Sequence, residues 1–275
     1  MITQENYYQD KEHLTNSMMG WLDKSPAYFK SQIDSQASAT EAMVFGSAFH
    51  CIILEPEKFN EQYYVMPKLD KRTKKGKEEF AEHVELAGDK IIITTQQYSK
   101  ILAMEKAVQS NKDMFALFKS NDGVSETVNV WEEKIRDEND ETHIIKCKSL
   151  IDYTVKSDDL VIDLKTTTSV AAFTSSIRKF GYDRQAAYYL RGLQANNIVS
   201  QDARFIFAVV EKEPPFEIAM FELDKSVMDI ANSKIDDLLQ TYHQCIINNF
   251  YPKRYERFDG SLNLVSLNAD DIYKY

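Results

Sequence analysis

The sequence predicts an α/β protein with a central mixed β-sheet of about five strands flanked by helices and a helical N-terminal elaboration. Three observations carry this expectation. Apolar residues recur at helical spacing through the N-terminal part, and the period changes to short alternating or continuous apolar runs from Val124. Helical spacing then returns before two more strand-like runs and a closing helix. Proline and glycine are scarce, at six and eight residues, and no Ser/Gly-rich linker or repeat divides the chain. One domain is therefore expected over 1–275, mainly helical over 1–120 and with the core over 121–275.

The elements follow in order. "NSMMGWLDKSPAYFKSQ" offers Asn16 or Ser17 as the N-cap of a first helix. "TEAMVFGSAFHCIILEP" places Met43, Phe45, Ala48 and Phe49 at helical spacing before Pro56 stops the helix, and His50 rides on it. In "PKLDKRTKKGKEEFAEH", Lys68, Lys71, Arg72, Lys74, Lys75 and Lys77 form the most basic segment of the chain. Two readings stand for it: a solvated loop leading into a helix, or a contact with phosphates. "TTQQYSKILAMEKAVQSNKDMFALFK" is an amphipathic helix broken near Asn111. "VSETVNVWEEKIR", "ETHIIKCKSLIDYTVK" and "DDLVIDLKT" read as strands bounded by polar turns such as "RDENDE". "VAAFTSSIRKFGYDRQAAYYLRGLQANN" is helical, "ARFIFAVVEKEPPFEIAMFELD" gives two strands joined at "EKEPP", and "SVMDIANSKIDDLLQTYHQCIINN" is the closing helix.

Composition narrows the function classes. Hydrophobic residues at 43% and charged residues at 28% fit a folded chain and not a disordered one. No apolar run reaches bilayer-spanning length and the N-terminus lacks the pattern of a signal peptide, so no membrane association and a cytoplasmic location are expected. Cys51, Cys147 and Cys245 are widely spaced and never form C-x-x-C, which argues against a disulfide framework or a structural zinc site. A net charge of -10 excludes nucleic-acid coating through overall basicity, but not a local basic lining around acidic metal ligands.

The candidate chemistry lies in "KSLIDYTVKSDDLVIDLKTT". If Asp152 ends or bends one strand and Asp163 closes the next, the two carboxylates converge across the "KSDD" turn. Paired hard oxygen ligands suit Mg²⁺ or Mn²⁺. Lys165 follows Asp163 by two residues, so an extended backbone points both side chains to one face. A divalent cation beside an ammonium is what phosphodiester hydrolysis requires.

Asp152, then Asp163-Leu164-Lys165, then Gln185 and Tyr189 in "QAAYY", resembles the PD-(D/E)XK nuclease superfamily with its restriction-endonuclease-like core, in particular the RecB-type branch. The blocks "GSAFHCIILEPEKF", "DKRTKKGKEEF", "CKSLIDY", "VIDLKTT", "YDRQAAYYLRGL" and "VEKEPPFEIAMFELD" are similar, in order, to the nuclease domain of RecE-type exonucleases of phages and prophages. Where that motif has proline before its first carboxylate, this chain has Ile151.

The resemblance implies roles residue by residue. Asp152, Asp163 and Lys165 are the catalytic residues. Asp152, Asp163, His50 and the Leu164 backbone carbonyl are metal ligands, with His50 alternatively lying behind them, and Glu126 adds a ligand or positions water. Gln185 and Tyr189 line the cleft and contact substrate or hold the active-site strand. Arg72, Lys74, Lys75, Arg178 and Arg184 are candidate DNA contacts, with Lys179 beside them. The expected activity is Mg²⁺-dependent exonucleolytic digestion of linear double-stranded DNA, 5′ to 3′, leaving 3′ tails for recombination by annealing; Mn²⁺ is expected to substitute. The resemblance also implies a ring-shaped homo-oligomer around DNA, a RecT-type single-strand annealing partner and a bacterial, phage- or prophage-encoded setting. The competing readings are a structure-specific or Cas4-like nuclease on the same fold, and a non-catalytic DNA-binding module.

Overall fold

The computed structural model describes residues 2–35, 39–137 and 139–261, so the expected span 1–275 includes positions outside the described residues: 1, 36–38, 138 and 262–275. The first predicted helix is two. α1 (Asn16–Lys24) is capped by Thr15, one residue before the expected caps, through Thr15 Oγ1 accepting from the Met18 N–H at 3.2 Å. Ser25, in extended conformation, caps α2 (Pro26–Ile33). Pro26 has no N–H to continue α1 but suits the first turn of a new helix.

α3 (Glu41–Leu54) carries His50 and buries Phe45, Ala48 and Phe49, whereas the predicted face residue Met43 is 60% exposed. A short 3-10 turn Pro56–Lys58 and α4 (Phe59–Gln62) lead into β1 (Tyr63–Met66). The basic segment runs through a loop into α5 (Lys74–Ala87), and β2 (Ile91–Thr94) then pairs in parallel with β1. That two-stranded sheet lies outside the sequence expectation because two runs of four residues are too short to display a period. α6 (Thr95–Ser110) and α7 (Lys112–Leu117) meet at Asn111, whose side chain caps α7, as the pattern predicts.

The main sheet holds β3 (Gly123–Arg136), β4 (Thr142–Val155), β5 (Leu160–Thr167), β6 (Arg204–Glu211) and β7 (Ile218–Glu222), side by side in sequence order. Pairing is antiparallel except for the parallel β5–β6 pair. The crossover between those two strands contains α8 (Phe173–Phe180) and α9 (Tyr182–Ala195), separated at Gly181, whose φ of +66 favours glycine. α10 (Lys225–Asn248) closes the described fold. Among the described residues no helix is long and apolar enough to cross a membrane.

β6 shows why the sheet is the middle layer. Its continuous apolar run sends Ile206, Ala208 and Val210 into a core with α3 and α6, and Phe205, Phe207 and Val209 into a core with α9. β5 repeats the pattern with Leu160, Ile162 and Leu164 on the α3 side and Val161 on the α9 side. Asp163 and Lys165 occupy the next positions on that second face, where the period calls for apolar residues. The third core joins α1, α9 and α10 over Trp131, Ile145 and Cys147 of β3 and β4.

The N-terminal segment is tied to β4. Leu14 N donates to Lys146 O and Lys148 N to Leu14 O, both at 2.9 Å, and Tyr188 Oη donates to Leu14 O at 2.6 Å. Lys148, 1% exposed, donates through Nζ to the Tyr7 and Asp10 carbonyls and lies 2.8 Å from Asp10 Oδ2. An ammonium has three donor hydrogens, and here every one has an oxygen.

Candidate active site

The site forms where strand pairing stops. The β4–β5 ladder comprises Val155↔Leu160, Thr154↔Val161 and Tyr153↔Ile162; the same register would next set Asp152 opposite Asp163, and there the strands part. On the other edge of β4, pairing passes from Ser125↔Tyr153 to Thr127↔Ile151, leaving Glu126 and Asp152 unpaired although the register is unchanged. Glu126 has φ +47, a left-handed conformation uncommon for a residue with a side chain and typical of functional sites. Asp163 does not close its strand as expected, since β5 continues to Thr167. The acids meet at a fork inside two strands. Ile151, at the motif's proline position, is fully buried and leaves β4 continuous.

On the α9 side of the fork, Lys165 Nζ forms a close ion pair with Asp163 Oδ2, and Gln185 Nε2 donates to Asp163 Oδ1 at 2.8 Å. The Lys165 ammonium also lies 4.9 Å from the centre of the Tyr182 ring. Burial raises the Asp163 carboxyl to about 6 despite the Lys165 charge. Burial works against the Lys165 charge, but Asp163 and Asp152 outweigh it and hold the ammonium above its ordinary range. Tyr189 contacts Phe205 and packs among core residues, its phenol driven far up by burial.

On the α3 side, His50, Glu126 and Asp152 each present a ligand atom within 4.8 Å of the others. His50 Nδ1 is 3.5 Å from Asp152 Oδ2, which accepts the Leu164 N–H at 2.8 Å. Burial, then the Lys165 charge, pushes His50 down to about 4, so its ring is neutral and a competent ligand at physiological pH. Burial, then Asp152, raises Glu126 to about 8, and Asp152 is raised by burial as well. The Lys165 charge offsets the effect of burial on Asp152, and the Lys58 charge that on Glu126, only in part.

The donor set fits a hard divalent cation. It offers two carboxylates and an imidazole in one cluster, with the buried Asp163 carboxylate near it, held by Lys165 and Gln185. Asp163 lies outside the three-residue cluster, its oxygens engaged by Lys165 and Gln185.

The expected substrate contacts divide. Gln185 donates to the Asp163 carboxylate from α9. Arg184 is corrected: at 5% exposure it is built into the fold, with Nε donating to Asn16 Oδ1 at 3.0 Å and Nη1 3.4 Å from Asp23 Oδ2. It has no face left for DNA. Arg72 pairs with Asp70, and Lys74 and Lys75 lie 3.9 and 3.5 Å from Glu78 and Glu79 on the solvated face of α5. Arg178 and Lys179 are exposed on α8, and Arg178 has no ion pair among the described residues.

Sequence reasoning missed Tyr182, Tyr8 and Glu55. Tyr182 was legible in principle, since it precedes Gln185 by three helical residues and so shares its face. Glu55 is near enough for its charge to raise Glu126, and the Tyr8 hydroxyl lies within reach of the Glu126 and Asp152 charges. Neither carries a spacing signal.

Residues 15–260 match the family described as a PDDEXK-like domain of unknown function (DUF3799). Among solved structures, the chain is similar to a candidate exonuclease from Eubacterium rectale, with 11% identity and a TM-score of 0.63 over 100% of this chain and 98% of that one. It also aligns with a phage related exonuclease from Haemophilus somnus 129PT, at 16% identity and a TM-score of 0.30, over 74% of this chain and 95% of that one. The first likeness shows a common fold; the second superposition is too loose to bear on it. No curated protein matches the sequence.

Proposed function

This chain belongs to the PDDEXK-like domain family DUF3799, and from that membership we propose that the β4–β5 fork is the active site of a divalent-cation-dependent DNA exonuclease. The observation that carries the proposal is the meeting of Asp152, Asp163 and Lys165 where the ladder parts, with Gln185 fixing Asp163 from α9.

His50, Glu126 and Asp152 would hold the cation, with Asp163 and the Leu164 carbonyl as further ligands. When bound, Mg²⁺ or Mn²⁺ supplies positive charge against the charge that builds on a phosphoryl group and lowers the pKa of water. The chain's own groups do the rest. Lys165 keeps its proton at Nζ at neutral pH, so it acts as a hydrogen-bond donor that orients the attacking water or a phosphoryl oxygen. Tyr182 and Asp163 limit where that ammonium can point. Gln185 keeps the Asp163 carboxylate from rotating, which preserves the geometry between turnovers.

The finer reading follows the resemblance to RecE-type exonucleases: linear double-stranded DNA, 5′ to 3′ polarity, 3′ tails passed to a RecT-type annealing protein, a ring-shaped homo-oligomer, and phage-type recombination in the bacterial cytoplasm. A ring would combine an acidic exterior with a locally basic channel, consistent with a net charge of -10. The Cas4-like alternative gains no support from the cysteines, which are buried and free.

The test uses linear duplex labelled at the 5′ or the 3′ end, and closed circular duplex, each with Mg²⁺. Early release of the 5′ label, an intact circle, and loss of activity in Asp163→Ala and Lys165→Ala are expected. Full activity in both variants would remove the assigned site, and cleavage of the circle would replace exonuclease by endonuclease.

A further inference from the structure

At the other end of the sheet, the chain builds a second cluster of ligand-type side chains that nuclease chemistry does not use. Asp137 follows the last residue of β3, His143 is the second residue of β4, and His243 lies in the C-terminal half of α10. Each offers a ligand atom within 4.8 Å of the other two. The fork is nine residues further along β4, about 30 Å away at extended-strand rise.

We propose that Asp137, His143 and His243 form a cation site of the Zn²⁺ class that pins the β3–β4 hairpin to α10. The unexplained group is His243 Nε2. His243 is 6% exposed, and this nitrogen is sealed from solvent without a hydrogen-bond partner. An orphaned buried polar atom is costly, and a native fold normally satisfies it with a protein group, a water or an ion. The neighbouring rings of His143 and His243 have centres 4.2 Å apart with an interplanar angle of 35°, leaving two imidazoles side by side. Burial lowers the basicity of His243, which keeps the ring in the neutral form a metal requires.

Asp137 is already aimed. Its Oδ1 accepts the Asn139 and Glu141 N–H groups, both at 2.9 Å, while Oδ2 lies 3.0 Å from His143 Nε2. Two ligands sharing one Zn²⁺ at ordinary bond lengths stand about 3.0–3.4 Å apart, so this edge needs little adjustment. His143 Nε2 would turn a lone pair to the ion in the tautomer that carries the hydrogen on Nδ1. Two nitrogens and one carboxylate suit Zn²⁺ better than Mg²⁺, which separates this site chemically from the oxygen-rich fork. Asp137 also lines an open cleft of about 610 Å³ with Arg136, Gln240, Gln244, Arg257 and Asp259, so the carboxylate of the site is reachable from solvent.

Co²⁺, a spectroscopic stand-in for Zn²⁺, tests the site directly. The full chain, with Mg²⁺ in large excess to occupy the fork, is titrated with Co²⁺ and read by visible absorption and by the melting temperature. One equivalent should develop a d–d band that Zn²⁺ abolishes, with a rise in melting temperature. The band should be absent in His143→Ala and in Asp137→Asn, two partly exposed positions, and retained in His50→Ala. No band in the wild type, a band unchanged in both cluster variants, or a band lost in His50→Ala would overturn the proposal.

Discussion

Two buried charge clusters sit four residues apart on β4, at Lys148 and at Asp152, and the chain treats them in opposite ways. Around Lys148 the account closes: Nζ meets two carbonyls and the Asp10 carboxylate. Burial opposes the Asp10 charge, but hydrogen bonds from Lys148 and His13 outweigh it and bring the carboxyl down to about 2. Around Asp152 the charges do not close. Glu126 is held up at about 8, and Asp163 at about 6 even with Lys165 paired to it. The first cluster anchors the N-terminal segment, and the second keeps a deficit of positive charge open for a ligand. Burial of charge therefore does not distinguish a structural site from a functional one; the degree of satisfaction does.

The comparison breaks or holds most clearly on a pair of substitutions. Lys148→Met removes one partner of a buried pair and should cost about 3–5 kcal/mol of stability, while the folded fraction keeps its activity. Asp163→Asn removes a charge that burial disfavours and keeps an oxygen for Gln185, but it also takes the ion-pair partner from the Lys165 ammonium, so stability should fall by less than in Lys148→Met. Its nuclease activity should nevertheless fall by about 10²–10³-fold or more. Urea unfolding and single-turnover cleavage in saturating Mg²⁺ read the two quantities separately. Equal destabilisation by both substitutions would erase the distinction.

Only the active-site half of this contrast was legible in the sequence, and the parts that were not share a cause. The strands β3 to β6 follow from alternation and apolar runs, and Asp163 and Lys165 stood out because they interrupt such a run on one face. Arg184 misled because its burial is decided by distant partners, Asn16 and Asp23, which meet it only through helix packing. Lys148 is likewise matched with Tyr7 and Asp10 from the N-terminal segment, and His243 with residues about a hundred positions away. Tertiary pairs of that kind leave no periodic trace. The β1–β2 pair failed for brevity alone, and the α1–α2 break was written in Ser25-Pro26 but hidden by apolar spacing that continues through it.

Titration of the chelated protein sharpens the comparison further, because the two clusters carry opposite signs. Asp10 drops from 3.8 to about 2 on folding, so its contribution is complete above pH 3.8 and is lost as pH falls through about 2. Glu126 rises from 4.5 to about 8, so its contribution is present below pH 4.5 and is lost as pH rises through about 8. The melting temperature in chelator should decline between these two values by several degrees, at about 2–4 °C per kcal/mol for a chain of this size. Glu126→Gln should flatten that decline, and Asp10→Asn should leave it in place while lowering the curve above pH 4. An unchanged slope in Glu126→Gln would assign the loss to another group.

The smallest expected effect concerns Tyr8, at the border between the two clusters. Tyr7 packs edge-on against Tyr8 with ring centres 5.2 Å apart and lies over the Lys148 ammonium at 4.5 Å, so the structural cluster fixes the backbone that carries Tyr8. Tyr8 itself is 81% exposed, and the charges of Glu126 and Asp152 reach its hydroxyl. An exposed ring beside the acids is placed to stack on a base of a strand entering the fork, an interaction that tolerates any sequence. Tyr8→Ala should therefore raise KM for DNA about fivefold, about 1 kcal/mol of stacking, with kcat little changed, and Tyr8→Phe should restore it. A fall in kcat at constant KM, or a Phe variant as impaired as Ala, would instead tie Tyr8 to the carboxylates through its hydroxyl and shift the boundary between anchor and active site by one residue.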